Sequence, residues 1–513
     1  MKFRDLSYTD GIILAFVVGF VVRLIPELLS FPYPIGWDTI YYASRINSGI
    51  FFVHGGDIFG SWLVYGILVT LHNLTQLEPF VLLKIVASLL YGGTCAGMFF
   101  VAWKRFVWSS KKSLLVSVLF AFQLAALAVS WQFYRNVFGM MVFLFALPFL
   151  KDNISWKGAA VLSVLALFAV WGHELAVVSL FFVVFGMLVL SVYKKQKIPY
   201  RILLAMVPAL VLFLGNFVLI SPFAVPINPN LVRIDDSIWA HPGGLFFVTD
   251  YLSVNTPIES YGSYFDLFFD VTSLFVILYA LLLPLVGVGY FKDKALNFWS
   301  LILLVGALGC LLVPFASLFL WARWMLLLVY PFSFFAANGL SKLSKTVSWV
   351  SVSRFFGWFK INKNVGVGLA LVSVVVGGFF MCWPLAEGKY GIINWGGTFK
   401  YVPSTMQSSS VPLQDTQGVI DSYEWLNANM DEDSSLLVFD VFDMWTMLYL
   451  DESHQAFLFD HDLENAANYA INQGYNTNYL VWWNQDIEWY NLQVQENWVS
   501  VYDSGRISVY QIV

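Results

Sequence analysis

Residues 31–57, FPYPIGWDTIYYASRINSGIFFVHGGD, follow the first apolar run long enough to cross a membrane. The stretch sets Asp38 just beyond that run, after Gly36-Trp37 and before an aromatic segment with Tyr41, Tyr42 and Arg45 that can turn helical. It reads as a candidate active-site loop. Asp followed by Thr-Ile-Tyr-Tyr also fits a helix start, where the carboxylate accepts from the first backbone N–H groups. The two roles are compatible, because a capping carboxylate at a membrane surface is well placed to be a base.

The 513 residues around this stretch are 59% hydrophobic and 12% charged, with a mean hydropathy of +0.70. Soluble domains carry about 25% charged residues, so the chain is a polytopic membrane protein. No A-x-A-like site follows the apolar run 11–29, which is therefore expected to be retained as the first transmembrane helix. Cys95, Cys310 and Cys382 lie far apart in apolar segments and offer neither a disulfide framework nor zinc-ligand spacing. The net charge of −5 hides an asymmetry: cations cluster between apolar segments and acidic residues crowd beyond 385. Nucleic acid is a poor partner for such a chain.

Crossing a hydrocarbon core of roughly 30 Å takes about 17 to 25 apolar residues as helix. Such runs fall near 11–30, 79–103, 113–131, 174–193, 201–221, 268–290, 296–320, 324–341 and 365–384. Two shorter ones, 136–150 and 157–172, bring the expected crossings to eleven. Cytoplasmic connections should be basic, and alternate connections here are: Lys104, Arg105, Lys111 and Lys112; Lys151 and Lys157; Lys194, Lys195 and Lys197; Lys292 and Lys294; then Lys342, Lys345, Arg354, Lys360 and Lys363. Counting 58–74 as a further crossing would invert every later loop, so it reads as an interfacial or re-entrant helix. The first external loop then covers 31–78, longer than ordinary connections and in the range where functional segments are found.

On this topology the N-terminus is cytoplasmic and the plasma membrane is crossed many times. Residues 1–384 form the transmembrane domain, and 385–513 are extracellular. The latter is acidic, with a linker through 404–410 and Pro412, and alternates strand-like runs (436–439, 456–459, 479–483, 498–502, 507–512) with helical ones (418–429, 463–473). That pattern predicts a small α/β domain closed by a hairpin at Asp503-Ser504-Gly505. Its aromatics Trp482, Trp483, Trp489, Tyr490 and Trp498 either fill the core or stack on sugar rings, the core being commoner. A second external loop, 221–268, is rich in Pro, Gly and Asp and reads as a mobile lid.

Two hairpin tips, Trp131-Gln132-Phe133-Tyr134-Arg135-Asn136 and Trp171-Gly172-His173-Glu174, belong to short apolar runs and are expected below the outer membrane surface. Polar residues at that depth need partners or water and are functional candidates. The outer face thus gathers Asp38, Arg45, His54, Asp57, Arg135, Asn136, His173, Glu174 and Arg323. His173 and Glu174 reach one metal only if a turn separates them, and a satisfied His beside a solvated Glu is the commoner arrangement. Arg323, within Trp321-Ala322-Arg323-Trp324, either snorkels beside belt tryptophans or binds a lipid-linked phosphate through its fork.

With Gly36-Trp37-Asp38-Thr39-Ile40-Tyr41-Tyr42, Tyr134-Arg135-Asn136, Gly172-His173-Glu174-Leu175, Arg323-Trp324 and Ala336-Ala337-Asn338-Gly339-Leu340 in place, the whole layout resembles the GT-C superfamily of membrane glycosyltransferases. It is similar to the archaeal members and to relatives of dolichyl-phosphate-mannose mannosyltransferases and oligosaccharyltransferases. The resemblance implies transfer of a sugar from a polyprenyl (dolichyl) phosphate or diphosphate to a glycan, protein or lipid acceptor, as in protein glycosylation. Asp38 matches the catalytic first-loop Asp, and Arg323 and Arg135 are candidates for the donor phosphate. His54, Asp57, His173 and Glu174 are candidate metal or acceptor contacts, the metal being Mg or Mn. Many relatives carry a further acidic residue where this chain has Gln132, which leaves metal dependence open.

The competing reading is a transporter or flippase of a polar lipid or small solute. Such a protein is expected to show paired halves with broken helices at the midplane, whereas no internal symmetry is present and only Arg23, Glu27 and Lys84 break the confinement of charge to one face. A membrane anchor for a binding domain would not need eleven crossings.

Overall fold

The computed structural model describes residues 6–36, 38–49, 51, 60–219, 230–234, 264–312, 321–345, 350–351, 360–381, 408–409, 411–459, 462–484 and 494–512. Helix α1 (Tyr8–Leu29) is capped by Ser7, whose hydroxyl accepts from the Asp10 N–H, and packs along α4 (Pro79–Lys104), capped by Glu78. Small residues let the two approach closely: a Cβ on Gly19 would meet Cys95 and the Tyr91 carbonyl, and one on Gly92 would meet the Phe16 carbonyl. Between them lie α2 (Thr39–Ser48) and α3 (Leu63–Thr75). At 1.5 Å per residue the 13 residues of α3 reach only about 20 Å, short of a crossing.

The bundle continues through α5 (Ser110–Ala121), α6 (Leu124–Gln132), α7 (Tyr134–Ala146), α8 (Trp156–Gly172), α9 (Glu174–Tyr193) and α10 (Tyr200–Leu219). It is completed by α11 (Tyr264–Tyr279), α12 (Leu283–Gly289), α13 (Lys294–Leu308), α14 (Trp321–Leu327), α15 (Val329–Lys345) and α16 (Lys363–Met381). Among the described residues six helices are long and apolar enough to cross a membrane, or eight if two bent pairs each count as one span. The protein is therefore a multi-pass membrane protein. The expected crossings at 136–150, 157–172 and 201–221 correspond to shorter apolar helices, as does α3.

Two apolar runs that read as continuous are bent. The 113–131 run turns by 64° between α5 and α6, and the 268–290 run by 70° between α11 and α12. The first bend is filled from α16: Gly377 lies against the Phe122 carbonyl, and Gln123 exchanges hydrogen bonds with Ser373 (2.7 and 3.0 Å). The Leu119 and Ala121 carbonyls at the bend accept from the Gln123 side chain at 2.8 Å and the Tyr91 hydroxyl at 2.9 Å, so backbone polar groups there are partnered inside the bundle, as a membrane interior demands.

The C-terminal residues form a six-stranded mixed sheet. Its strands are β1 (Leu231–Arg233), β2 (Ser434–Phe439), β3 (Gln455–Phe459), β4 (Thr477–Trp483), β5 (Val499–Ser504) and β6 (Ile507–Ile512), in the order β1-β3-β2-β4-β6-β5. The first four are parallel and the β5–β6 hairpin is antiparallel, turning at Gly505 with φ +63°. Every residue of β2 is buried, as expected of a central parallel strand covered on both faces. Helices α17 (Thr416–Asn429), α18 (Asp443–Tyr449) and α19 (Leu463–Asn472) accompany the sheet. Trp482, Trp483 and Trp498 are buried core residues, while Trp489 and Tyr490 lie outside the described residues.

The loop 221–268 contributes β1, paired in parallel with β3 (Leu231↔Ala456 to Arg233↔Leu458), so this part of the expected lid is built into the sheet edge. Residues 220–229 and 235–263 lie outside the described set, as do 382–407 with the expected boundary at 385. At the other end of the sheet's surroundings, α2 packs against α18, and Tyr33 donates to Gln417 at 2.5 Å. Ile40, Ala43 and Ile46 of α2 share one apolar core with Val64 and Leu68 of α3 and with Phe442 and Trp445 beside them.

The α12–α15 crossing depends on two glycines. A Cβ on Gly289 would lie 1.7 Å from the Phe335 carbonyl oxygen, and one on Gly339 2.2 Å from that of Leu285, whereas Gly378 has open space around it. Backbone cannot move aside as a side chain can, and overpacking typically costs about 1–3 kcal/mol. Gly289→Val and Gly339→Val should each lower the melting temperature of the purified protein in detergent, while Gly378→Val should leave it near the wild-type value.

Candidate active site

Three contacts hold the backbone around Asp38. The Thr39 hydroxyl donates to the Ile35 carbonyl at 2.6 Å and lies 3.1 Å from the Tyr134 hydroxyl, and the Thr39 N–H donates to the Gly36 carbonyl. Gly36 itself has φ +93°, and a Cβ there would lie 1.6 Å from the Trp131 carbonyl oxygen. Only glycine permits both the left-handed backbone and that approach. The first loop is thus pressed directly onto the end of α6.

Asp38 occupies the residue before α2 but does not cap it. Its backbone is already helical (φ −79°, ψ 0°), where a capping residue needs extended backbone to aim its side chain at the helix N–H groups, and its carboxylate accepts no capping hydrogen bond. The half-buried carboxylate makes no hydrogen bond or ion pair with the described residues. Burial pushes its pKa from the ordinary 3.8 up to about 6, with the Arg323 and Arg135 guanidinium groups pulling the other way. Arg45 does not fold back onto it: its Nε and Nη2 donate to the Tyr41 hydroxyl at 3.2 and 3.1 Å. Trp37, its neighbour in sequence, lies outside the described residues.

Arg135 opens α7 and is engaged on two sides. Its Nη2 pairs with Glu174 Oε2 at 3.1 Å and its Nη1 donates to the Tyr65 hydroxyl at 3.4 Å, while its backbone N–H donates to the Tyr42 hydroxyl at 3.2 Å. Glu174 is accordingly not the solvated carboxylate expected from sequence, because the chain breaks between α8 and α9 and turns it toward Arg135. Ser61 also donates to its Oε1. The break is at His173, in extended backbone (φ −166°, ψ 141°), whose Nδ1 accepts the Leu175 N–H at 3.0 Å and so carries no proton. Its Nε2 lies 3.6 Å from Glu174 Oε2.

Of the candidate metal contacts, His173 and Glu174 are already engaged within the site. Glu174 is taken up by Arg135, Ser61 and His173, Asp38 is flanked by two guanidinium charges, and no group of three His, Cys, Asp or Glu side chains converges among the described residues. His54 and Asp57 lie outside that set. Asn136 is buried, with its Oδ1 unpartnered.

Arg323 lies in the first turn of α14. Its guanidinium sits 4.6 Å over the Phe133 ring, a cation–π contact that holds the plane against the α6–α7 junction rather than letting it splay to headgroups. It makes no hydrogen bond or ion pair with the described residues. Its flanking tryptophans are not belt residues: Trp321 and Trp324 are 2% and 6% exposed, Trp324 packing on Gly306 of α13. Tyr42 and Tyr134, both singled out in the sequence, join Tyr65, which was not, in one buried wall of tilted rings beside Asp38 (4.8 and 5.5 Å between centroids).

No protein-family model matches the sequence, and no curated protein matches it in sequence. Among solved structures the chain is similar to the arabinofuranosyltransferase AftD from mycobacteria, with a TM-score of 0.51 and 13% identity over 99% of this chain and 40% of that one. It is also similar to ArnT from Cupriavidus metallidurans, bound there to undecaprenyl phosphate, with a TM-score of 0.52 and 13% identity over 98% of both chains. The chain thus spans less than half of AftD and nearly all of ArnT. At these identities the likeness is one of fold: the protein has the fold of the GT-C membrane glycosyltransferases.

A carboxyl whose pKa rises from 3.8 unfolded to about 6 folded binds its proton more tightly in the folded state. Its contribution to stability is therefore favourable below about pH 4 and is lost as the pH rises through 6. Asp38→Asn should melt no lower than the wild type at pH 7.5, and its advantage should shrink toward pH 4; a purely capping Asp38 would show no such advantage, because Asn caps a helix about as well as Asp.

Proposed function

We propose that the protein is a membrane glycosyltransferase that moves a sugar from a polyprenyl phosphate or diphosphate carrier to an acceptor hydroxyl or amide, with Asp38 as the general base. The observation that carries this reading is the Asp38 carboxylate: neither capping nor paired, with a raised pKa, and under the influence of a guanidinium, Arg323, that is itself unpaired among the described residues. The neighbours' fold and ArnT's bound undecaprenyl phosphate support a lipid-linked donor. The donor we favour is a dolichyl-type phosphate carrying a hexose such as mannose, and the acceptor a glycan, protein or lipid at the external face.

In this reaction the acceptor attacks the anomeric carbon as the bond from that carbon to the carrier phosphate oxygen breaks. The acceptor proton passes to Asp38, and the leaving phosphate departs as an anion that needs no acid to protonate it. A pKa near 6 suits a base at neutral pH, being high enough to accept a proton and low enough to be ionised. Arg323 faces the charge that grows on the phosphate, which its fork can bind in two places. Arg135, held by Glu174 and Tyr65, contributes its field and the fixed position of α7. No step is assigned to a metal: no three His, Cys, Asp or Glu side chains converge among the described residues.

Asp38→Asn keeps size and removes basicity. With purified protein and radiolabelled polyprenyl-linked sugars, its turnover should fall about 10²-fold or more while donor binding persists; near-normal turnover would remove Asp38 from the chemistry. In the wild type the rate should fall as pH drops through about 6. Arg323→Ala should weaken donor binding about ten- to a hundred-fold, the loss of one charge-assisted hydrogen bond, with acceptor KM little changed.

A further inference from the structure

Three charged side chains lie inside the bundle, away from the site just described. Arg23 (0% exposed) and Glu27 (2%), one turn apart on α1, pair at 2.6 Å. Lys84 of α4 pairs with Glu27 at 2.9 Å. Such charges deep in an apolar bundle invite a transport reading, but Glu27 is ion-paired with both cations, although the Arg23 Nη groups make no hydrogen bond. Nor does the cluster serve chiefly to hold the helices together. Buried ion pairs are weak stabilisers compared with apolar residues of similar volume, and α1 and α4 already meet closely at Gly19 and Gly92.

What the network does that apolar residues cannot is reach backbone. The Lys84 ammonium donates to the Glu27 carbonyl (3.1 Å), the Ser30 hydroxyl (2.8 Å) and the Tyr33 carbonyl (2.7 Å), gathering the end of α1 and the start of the first loop onto α4. Arg23 reaches to the opposite wall, its Nε donating to the Ser130 carbonyl at 3.3 Å and its guanidinium lying 5.9 Å from the Trp131 ring centroid. The next carbonyl along, that of Trp131, is the atom against which Gly36 is pressed. One carboxylate, Glu27, therefore ties together the two backbone segments whose contact places Asp38: Tyr33 on one side, Ser130-Trp131 on the other.

We infer that Arg23, Glu27 and Lys84 are positioning residues for the transfer reaction, fixing the loop that carries Asp38 against the end of α6. The inference rests on Asp38 being the base. Misplacing a reacting group by about 1 Å can cost on the order of 10² in rate, whereas Arg323 takes no hydrogen bond or ion pair from the network.

The test replaces the whole network, Arg23→Leu with Glu27→Leu and Lys84→Leu, so that no buried charge is left unpaired, and compares it with Lys84→Met and Lys84→Arg. In the triple variant the melting temperature should stay near the wild type, kcat should fall about 10- to 100-fold, and donor KM should hold within about threefold. The acid limb near pH 6 should be unmoved, because burial, Arg323 and Arg135 set it. Lys84→Met should lose kcat in the same way, and Lys84→Arg, which keeps a donor for the Tyr33 carbonyl, should recover most of it. Wild-type kcat in the triple variant, a rise in donor KM with kcat unchanged, or failure of the triple variant to fold would each overturn the inference. Normal turnover by Asp38→Asn would instead overturn the base assignment, so the two failures are told apart.

Discussion

The contact between Gly36 and the Trp131 carbonyl is the constraint on which the site depends. It brings the first loop onto the junction of α6 and α7 with no side chain between them. From that junction come Phe133, which carries the Arg323 guanidinium on its ring, and Arg135, which holds Glu174. Asp38, two residues beyond Gly36, is thereby set among groups drawn from four separate parts of the chain. The glycine is needed twice over, for its positive φ and for the missing Cβ, so no larger residue could occupy that point without moving the loop.

The C-terminal sheet is not a separate body hung from the membrane part. Helix α2 packs against α18, Tyr33 bonds Gln417, and a single apolar core runs from the first loop into the α/β unit. The first loop is therefore gripped from two directions, by α4 and α6 from within the bundle and by α17 and α18 from the sheet side. A loop of such length would ordinarily be mobile. Here its described part is ordered by a roof as well as a floor, which suits a carboxylate that must be held in one place while carrying an unfavourable charge.

Much of this was legible in the sequence, for definite reasons. Charge alternation placed Asp38, Arg135, His173, Glu174 and Arg323 at one end of the bundle, because each closes an apolar run there. Apolar runs with helices between them gave the parallel strands β2, β3 and β4 nearly to their ends. What escaped was whatever depended on backbone angles or on distant partners. Asp-Thr-Ile-Tyr-Tyr looks the same whether ψ of the Asp is extended or near 0°, so the missing cap was invisible. The Arg135–Glu174 pair joins residues 39 apart, and the bend after Ala121 falls inside an apolar run with no proline, whereas the bend after Tyr279 has Pro284 in the first turn of the helix that follows it. The tryptophans beside Arg323 carry the composition of an interfacial belt, yet Gly306 opens a place for one of them in the core. Three residues of β1 are too few to show a period of two.

That short strand has a consequence for how the protein can be handled and how it folds. The edge of the sheet is supplied from residues 231–233, more than two hundred positions before its partner Gln455–Phe459, with the Asn230 and Ile234 backbone adding bonds at either end. The sheet is thus closed by a segment made long before it, and pairing across such a separation is slow to form. A fragment beginning after the last bundle helix would carry β3 as a bare, apolar, parallel edge, the kind of surface that templates association with a second chain. The α/β unit is in this sense unfinished without the membrane part, and a secretable, soluble version of it would have to bring its own sixth strand.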